Sequence, residues 1–419
     1  MSSPSRWRPR CAVWLSTSAL ALAAGATAAA PAPPYSVLLR QAERAPRLAE
    51  ADAAVDQARG LARQAAARPN PVVGVEVENF AGTGPFQGTK AAETTASLQQ
   101  TLELGGKRAA RIAAGRADVV AAEARSAQAR ADFAFDLADA YARAEAADRR
   151  LTLARDSLGL AQEDARIAAA LVRAGKEADV RAVQARAALK GAQADVDAAV
   201  AGRANALEKL SALAGVSEAF TSLASSLLAR ADRDEPFRTP APAASPTVAS
   251  AETARNAAAR RVKVEQTRSA PDLTVSLGLR RLAGEDATAM VGGVSVPLPV
   301  FDRNRGGVSA AQAELRAAEA RLDAARLDAQ ADARAGLVRM AAAQSRIRAA
   351  HEGETAAEEA YRLTRLGYQG GKLPLGELLV ARRALTDART QTLDAQLERL
   401  SAEAELARLA GAVPFGDQP

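Results

Sequence analysis

His351 and Cys11 are the only imidazole and the only thiol in 419 residues. A structural zinc site takes four nitrogen or sulfur ligands. Cys11 lies in a segment expected to be removed, so a nitrogen–sulfur metal centre within one chain is excluded. Neither a metal site nor a cofactor is expected, and His351 reads as a solvated helix residue rather than one member of a three-fold ring of ligands. No nucleophile has a base at a usable spacing, and no glycine-rich phosphate loop is present. No catalytic residue can be named, and the chain does not read as an enzyme. The formal net charge is +6. Removing Arg6, Arg8 and Arg10 with the leader leaves about +3, too little to argue for nucleic acid.

With no chemistry to position, the elements themselves carry the information. The chain is 48% hydrophobic and 25% charged but only 3% aromatic. Alanine-rich, charge-studded sequence of this kind suits long helices in close approach. Residues 1–28 read as a secretory signal: three arginines, the apolar run Ala12–Leu22, then Ala26-Thr27-Ala28 as an A-x-A cleavage site. Cys11 precedes the apolar run and so cannot be a lipidated cysteine following it. Beyond the leader no uncharged stretch approaches the roughly 18–20 residues of a spanning helix. Export to the periplasm or outer membrane follows, with any membrane crossing left to strands.

The mature chain is two copies of one pattern. Gly175-Lys176 recurs at Gly371-Lys372, Ala185-Arg186 at Ala381-Arg382, Leu213-Ala214-Gly215 at Leu409-Ala410-Gly411, and Ala122-Glu123-Ala124 at Ala318-Glu319-Ala320. All four pairs share a spacing of 196, which marks an internal duplication. The expected division is a signal (1–28), a first repeat (29–216), a linker (217–245, with Pro236, Pro240 and Pro242), a second repeat (246–413) and a tail (414–419). Each repeat has the order helix, two strands, very long helix, tight turn, helix.

The first helix is expected from about Ser36 to Arg68, stopped by Pro69-Asn70-Pro71. Val73, Val75 and Val77 then alternate with polar residues, as do Ala96, Leu98, Leu102 and Leu104. In the second repeat Leu273, Val275 and Leu277 alternate, and later Val294, Val296 and Leu298. One apolar and one polar face at period two is the strand signature, although an ordinary half-buried hairpin would read the same locally. In the long helix, Phe133, Leu137, Ala140, Ala144, Ala147, Leu151, Ala154, Leu158, Ala161, Ala165, Ala168 and Val172 step by three and four. This is a heptad seam, repeated from Ala329 to Tyr368. A soluble coiled coil would explain the seam but not the strands.

A helix from about Gly105 to Arg173 would span roughly 100 Å, and flanking helices of about 32 and 38 residues stacked end to end would span roughly the same. One long helix can therefore lie beside two short ones, with the Gly-Lys turns at one end of a rod and the strands at the other. Four strands cannot close a barrel, and open edges are not tolerated in lipid. Three protomers would pool about twelve strands, an even number within the known range, and the same symmetry would gather the helices into a tube.

This architecture resembles the TolC family of outer-membrane efflux proteins over about residues 35–413. Gln100-Thr101-Leu102-Glu103-Leu104-Gly105-Gly106-Lys107-Arg108, the run from Val296 to Gly306 and the run from Gly371 to Leu379 resemble its cobalt–zinc–cadmium resistance branch. The resemblance implies a mainly α fold with a small β part. It would be a homotrimeric outer-membrane β-barrel of four strands per protomer, continued by an α-helical coiled-coil barrel into the periplasm. It further implies an exit duct for heavy-metal cations, working with a periplasmic adaptor (membrane fusion) protein and an inner-membrane pump of the resistance–nodulation–division type. Val73, Val75, Val77, Leu273, Val275 and Leu277 would face lipid. Tyr368 matches the family's gating tyrosine, whereas Leu373 and Arg181 stand where TolC itself has a bonding arginine and an aspartate. The candidate periplasmic gate is accordingly Asp179, Arg181, Tyr368 and Lys372. The alternatives are a multidrug or type I secretion duct of the same family, or a soluble periplasmic coiled-coil adaptor.

Overall fold

Proline and glycine set the boundaries of the helices, and a computed structural model describes residues 30–233 and 241–415. The signal segment with Cys11, and Pro236 and Pro240 of the linker, lie outside the described residues. The expected helix from Ser36 to Arg68 is two helices, α1 (Tyr35–Ala42) and α2 (Pro46–Ala65). Pro46 has no N–H to give and sits at the first helical position, while Ala45 before it is extended (φ −60°, ψ 145°). Next come β1 (Val72–Glu78) and β2 (Glu93–Leu102), then α3 (Lys107–Arg173) and α4 (Asp179–Leu213). The linker carries a short helix, α5 (Leu228–Ala231), before α6 (Pro246–Thr267), β3 (Leu273–Leu282), β4 (Ala287–Ser295), α7 (Arg305–Gln369) and α8 (Leu375–Leu409). β2 stops short of Leu104. The last strand keeps Val294 but ends at Ser295 and extends upstream to Ala287, leaving out the expected Val296 and Leu298, because Pro297 and Pro299 cannot donate to a ladder.

The duplication is geometric as well as textual. α4 and α8 each hold 35 residues, and α3 and α7 hold 67 and 65. The turns place Gly175 at φ +69° and Gly371 at φ +70°, a left-handed conformation open to glycine at little cost. Strands hand over to long helices through left-handed residues too, Gly106 before α3 and Asn304 before α7.

The helices form an open layer of four columns. α3 packs against α2 and α6 in its first half and α4 and α8 in its second, and α7 packs on α6 and then α8. The short helices do stack end to end: Gly215 lies against Ala45 and Pro46, and Gly411 against Pro246. They are shorter than expected, however, at 20 and 35 residues for α2 and α4, or about 80 Å beside the roughly 100 Å of α3. Around the junction the chain wraps an equatorial belt. Residues 30–32 bond to 221–224 through backbone groups, and Ala32 bridges Leu223. The aromatic core concentrates here, where Tyr35, Phe133, Tyr141 and Phe220 are all buried. Tyr35 donates to the Ala134 carbonyl (3.1 Å), and Tyr141 to that of Ser225 (3.0 Å).

The heptad seam is carried by buried or half-buried side chains throughout. Leu137, Ala144, Leu151, Ala161 and Ala168 are buried, Leu158 is half-buried, and Met340, Ile347, Tyr361 and Tyr368 are buried in the second copy.

Candidate functional site: two strand faces and the helix turns

Among the described residues the four strands make one antiparallel sheet in the order β1-β2-β3-β4, leaving β1 and β4 as edges. The register pairs Val73 with Leu98 and Leu98 with Leu277, and Gln100 with Val275 and Val275 with Val294. Cross-strand partners share a face, so Val73, Val75, Val77, Leu273, Val275 and Leu277 stand together on one side with Leu279, Met290 and Val294. Val75 is 69% and Leu277 58% exposed in the protomer, an apolar sheet face with nothing over it. The opposite face carries the charge. Arg280 donates to Glu93 (2.9 Å) and Thr95 (2.9 Å) and pairs with Glu78 (3.0 Å), while Glu76 stands exposed beside them. At the other end of the sheet Lys107 pairs with Asp272 (2.8 Å) and Arg111 with Glu103. The Arg111 hydrogen bond holds the Glu103 carboxyl below its usual range.

At the far end of the helices, the four candidate gate residues do not form one bonded cluster. Tyr368 is buried among Ala185, Leu375 and Leu378, and among the described residues its hydroxyl has no hydrogen-bond partner. Burial, reinforced by Glu177 nearby, raises its pKa. Arg181 turns to Gln184 (3.2 Å) and Glu177 (3.8 Å). Asp179 opens α4, where a carboxylate suits the helix dipole. Among the described residues neither Asp179 nor Lys372 makes a side-chain ion pair, and both are exposed.

Sequence reasoning missed a polar cluster deeper in the same bundle. Asp164 of α3 is 1% exposed, accepts from the Tyr361 hydroxyl of α7 (3.4 Å) and faces Arg382 of α8 at 3.7 Å. It falls between seam positions Ala161 and Ala165, so a single heptad stripe gives it no inward face. Burial is the main influence raising the Asp164 pKa, and burial likewise pushes Tyr361 up to about 12.

Also missed were the anchors of the equatorial belt. Buried Glu145 accepts from Ser226 and from the backbone N–H groups of Leu227 and Leu228, capping α5. Buried Arg399 donates to the Ala231 and Arg233 carbonyls. Its repeat counterpart Arg203 does the same to Thr221 (2.6 Å). His351 is not merely solvated: Nε2 lies 3.0 Å from Asp232 of the belt, which also accepts from Gln396. Among the described residues no group of three or more His, Cys, Asp or Glu is arranged to hold a metal ion, and no helix is long and apolar enough to cross a membrane.

Comparison with known proteins places this geometry. The pattern of the family described as "Outer membrane efflux protein" matches residues 38–216 and 240–412. The chain is 43% identical over 410 residues to the nickel-cobalt-cadmium resistance protein NccC of Alcaligenes xylosoxydans xylosoxydans, covering 97% of this chain and 93% of that one. It is also 43% identical over 340 residues to the nickel and cobalt resistance protein CnrC of Cupriavidus metallidurans, covering 80% and 79%. Its fold is that of the outer membrane protein VceC of Vibrio cholerae, with a TM-score of 0.73 at 22% identity over 90% of this chain and 96% of that one. The match spans both repeats and the four-column layer with its two-faced sheet: the chain belongs to the outer membrane efflux protein family.

Proposed function

We propose that this outer-membrane efflux channel works as a homotrimeric exit duct for divalent heavy-metal cations of the nickel, cobalt and cadmium class. A periplasmic adaptor would couple it to an inner-membrane pump of the resistance–nodulation–division type. The observation that carries the trimer is that the protomer is open on both sides. β1 and β4 are sheet edges, and the helix layer ends in the α2/α4 column on one side and α7 on the other. Open edges cannot stand in lipid. A head-to-tail contact that joins β4 of one copy to β1 of the next closes after three copies into twelve strands, within the range of such barrels. The apolar sheet face then meets lipid, the Glu76 face lines the lumen, and the Gly175 and Gly371 turns form the periplasmic mouth. Passage needs no bond made or broken.

The cargo reading rests on the relatives, since the two at 43% identity are named for nickel and cobalt resistance. Deleting the gene in its host should lower tolerance to these ions, and restoring it should recover that tolerance. Unchanged metal tolerance with altered drug tolerance would transfer the cargo to organic compounds. Purified outer membranes should yield heat-modifiable, SDS-resistant trimers; monomers alone in the soluble periplasm would overturn the duct.

A further inference from the structure

Resting on the duct reading, we propose that Arg280 at one end of the sheet, and Lys107 and Arg111 at the other, keep the barrel lumen from retaining the metal it exports. Each end holds a pair of carboxylates able to chelate a divalent cation, and at each the chain supplies a cation of its own instead.

The pairs follow from the register. Glu78 stands directly opposite Glu93 across β1 and β2. One residue beyond the last pair of the β2–β3 ladder, Leu102 with Leu273, Glu103 and Asp272 come close enough for the charge of one to act on the other. By the alternation of the strands all four belong to the Glu76 face, the side turned to the lumen. Like charges directly opposite on a sheet are destabilising. Two converging carboxylates are also ordinary oxygen ligands of a divalent cation, and a given site holds cobalt and nickel more tightly than manganese. A duct lined by such pairs would bind its cargo on the way out.

Each pair is already filled. Arg280 of β3 lies across Thr95, which is 7% exposed. All three of its nitrogens are engaged: Nε donates to Thr95 (2.9 Å), Nη1 donates to Glu93 (2.9 Å), and Nη2 lies 3.0 Å from Glu78. One guanidinium thus ties three strands and takes the place between the carboxylates that a metal would need. At the other end Lys107 reaches Asp272 (2.8 Å), and Arg111 forks onto both oxygens of Glu103. Between the ends the same face offers neutral hydroxyls and an amide, among them Ser97, Gln99 and Thr274. Among the described residues Glu76 is the carboxylate of this face that makes no ion pair, and it is exposed. A single ligand of this kind attracts a cation without chelating it.

The duplication shows that the arginine is not inherited scaffolding. Pro69-Asn70 and Pro271-Asp272 stand 202 residues apart, and the same spacing carries Glu78 to Arg280. Equivalent strand positions therefore hold opposite charges in the two repeats. Repulsion between Glu78 and Glu93 would be relieved as well by a neutral residue at either place. The arginine instead leaves both carboxylates in the lumen and closes the gap between them, so the face keeps negative charge without an open chelating pair.

Single-channel recording of the full-length trimer in planar bilayers, with nickel chloride added to one chamber, tests this. Wild-type current should be unchanged by nickel. Arg280→Gln leaves Glu78 and Glu93 facing each other, so its current should be lost on adding nickel and recover on chelation with EDTA. Adding Glu78→Gln and Glu93→Gln to that variant removes the ligands and should abolish the block. A purely structural Arg280 would lower the melting temperature of the trimer without creating any response to nickel, and that outcome overturns the proposal. So does a wild type blocked by nickel as readily as Arg280→Gln. If Arg280→Gln assembles no trimer, Lys107→Gln with Arg111→Gln frees the other pair, and the presence or absence of nickel block there decides in the same way. Wild type that forms no channel would strike the duct reading instead.

Discussion

The two repeats share a skeleton and differ in what lies inside it. Their turn glycines have the same φ to within a degree, and their last helices the same length. Yet the second repeat carries Tyr361, Tyr368 and a half-buried Arg382 where the first has Ala165, Val172 and an exposed Arg186. Duplication preserves what closes a helical hairpin: the left-handed turn residue and the seam. The polar cluster needs only one member from each of three helices, so it can be built once, across the boundary between repeats. The lesson is that equivalent positions should respond alike where they serve the skeleton and differently where only one repeat supplies the polar side chain.

The largest effects should fall on the shared seam. Leu151 and Ile347 are counterparts, 6% and 7% exposed, and truncating either to alanine should cost about 2–5 kcal/mol. Leu158 is half-buried and its counterpart is the charged Glu354, so Leu158→Ala should cost clearly less. Thermal melts of purified trimers would show the ranking; a large loss at Leu151 with none at Ile347 would break the equivalence of the two halves.

The strands give the same comparison in lipid. Val75 belongs to the first repeat and Leu277 to the second, on one exposed apolar face. Arginine at either should cost about 2–4 kcal/mol near mid-membrane and reduce trimer yield, whereas Glu76→Gln or Ser276→Gln on the other face should be mild. Equal tolerance of charge on both faces, read as trimer yield in outer membranes, would remove the sheet from the bilayer.

Much of this was legible beforehand. The 196-residue spacing located both hairpins, and period-two alternation put all six candidate lipid-facing residues on one face. Three features were not. β4 runs Ala-Thr-Ala-Met-Val-Gly-Gly-Val-Ser, where two glycines hide the alternation, while the Val296–Leu298 run downstream imitates it. The break at Pro46 was written in the proline, but helical composition continues on both sides of it. Asp164 and Glu145 were hidden for a deeper reason. α3 touches α2, α4, α6 and α8, so it buries more than one stripe, and a single heptad seam accounts for only part of its inward surface. In an alanine-rich helix the second stripe has little hydrophobic contrast to reveal it.

The smallest effect separates ring from hydroxyl at the mouth. The family resemblance would make Tyr368 a gating tyrosine, yet among the described residues its buried hydroxyl has no partner, while its ring packs with Leu375 and Leu378. An orphaned hydroxyl disfavours the state that buries it. Tyr368→Phe should therefore leave the narrow state intact or strengthen it by about 1 kcal/mol at most, with unchanged unitary conductance and a slightly raised melting temperature. Tyr368→Ala removes the ring as well and should destabilise by about 3–5 kcal/mol, the scale of large aromatic truncations. The first-repeat counterpart, Val172→Ala, is half-buried and should cost far less. Larger openings in Tyr368→Phe would show that the hydroxyl itself holds the mouth, through a bond made only in the assembled trimer.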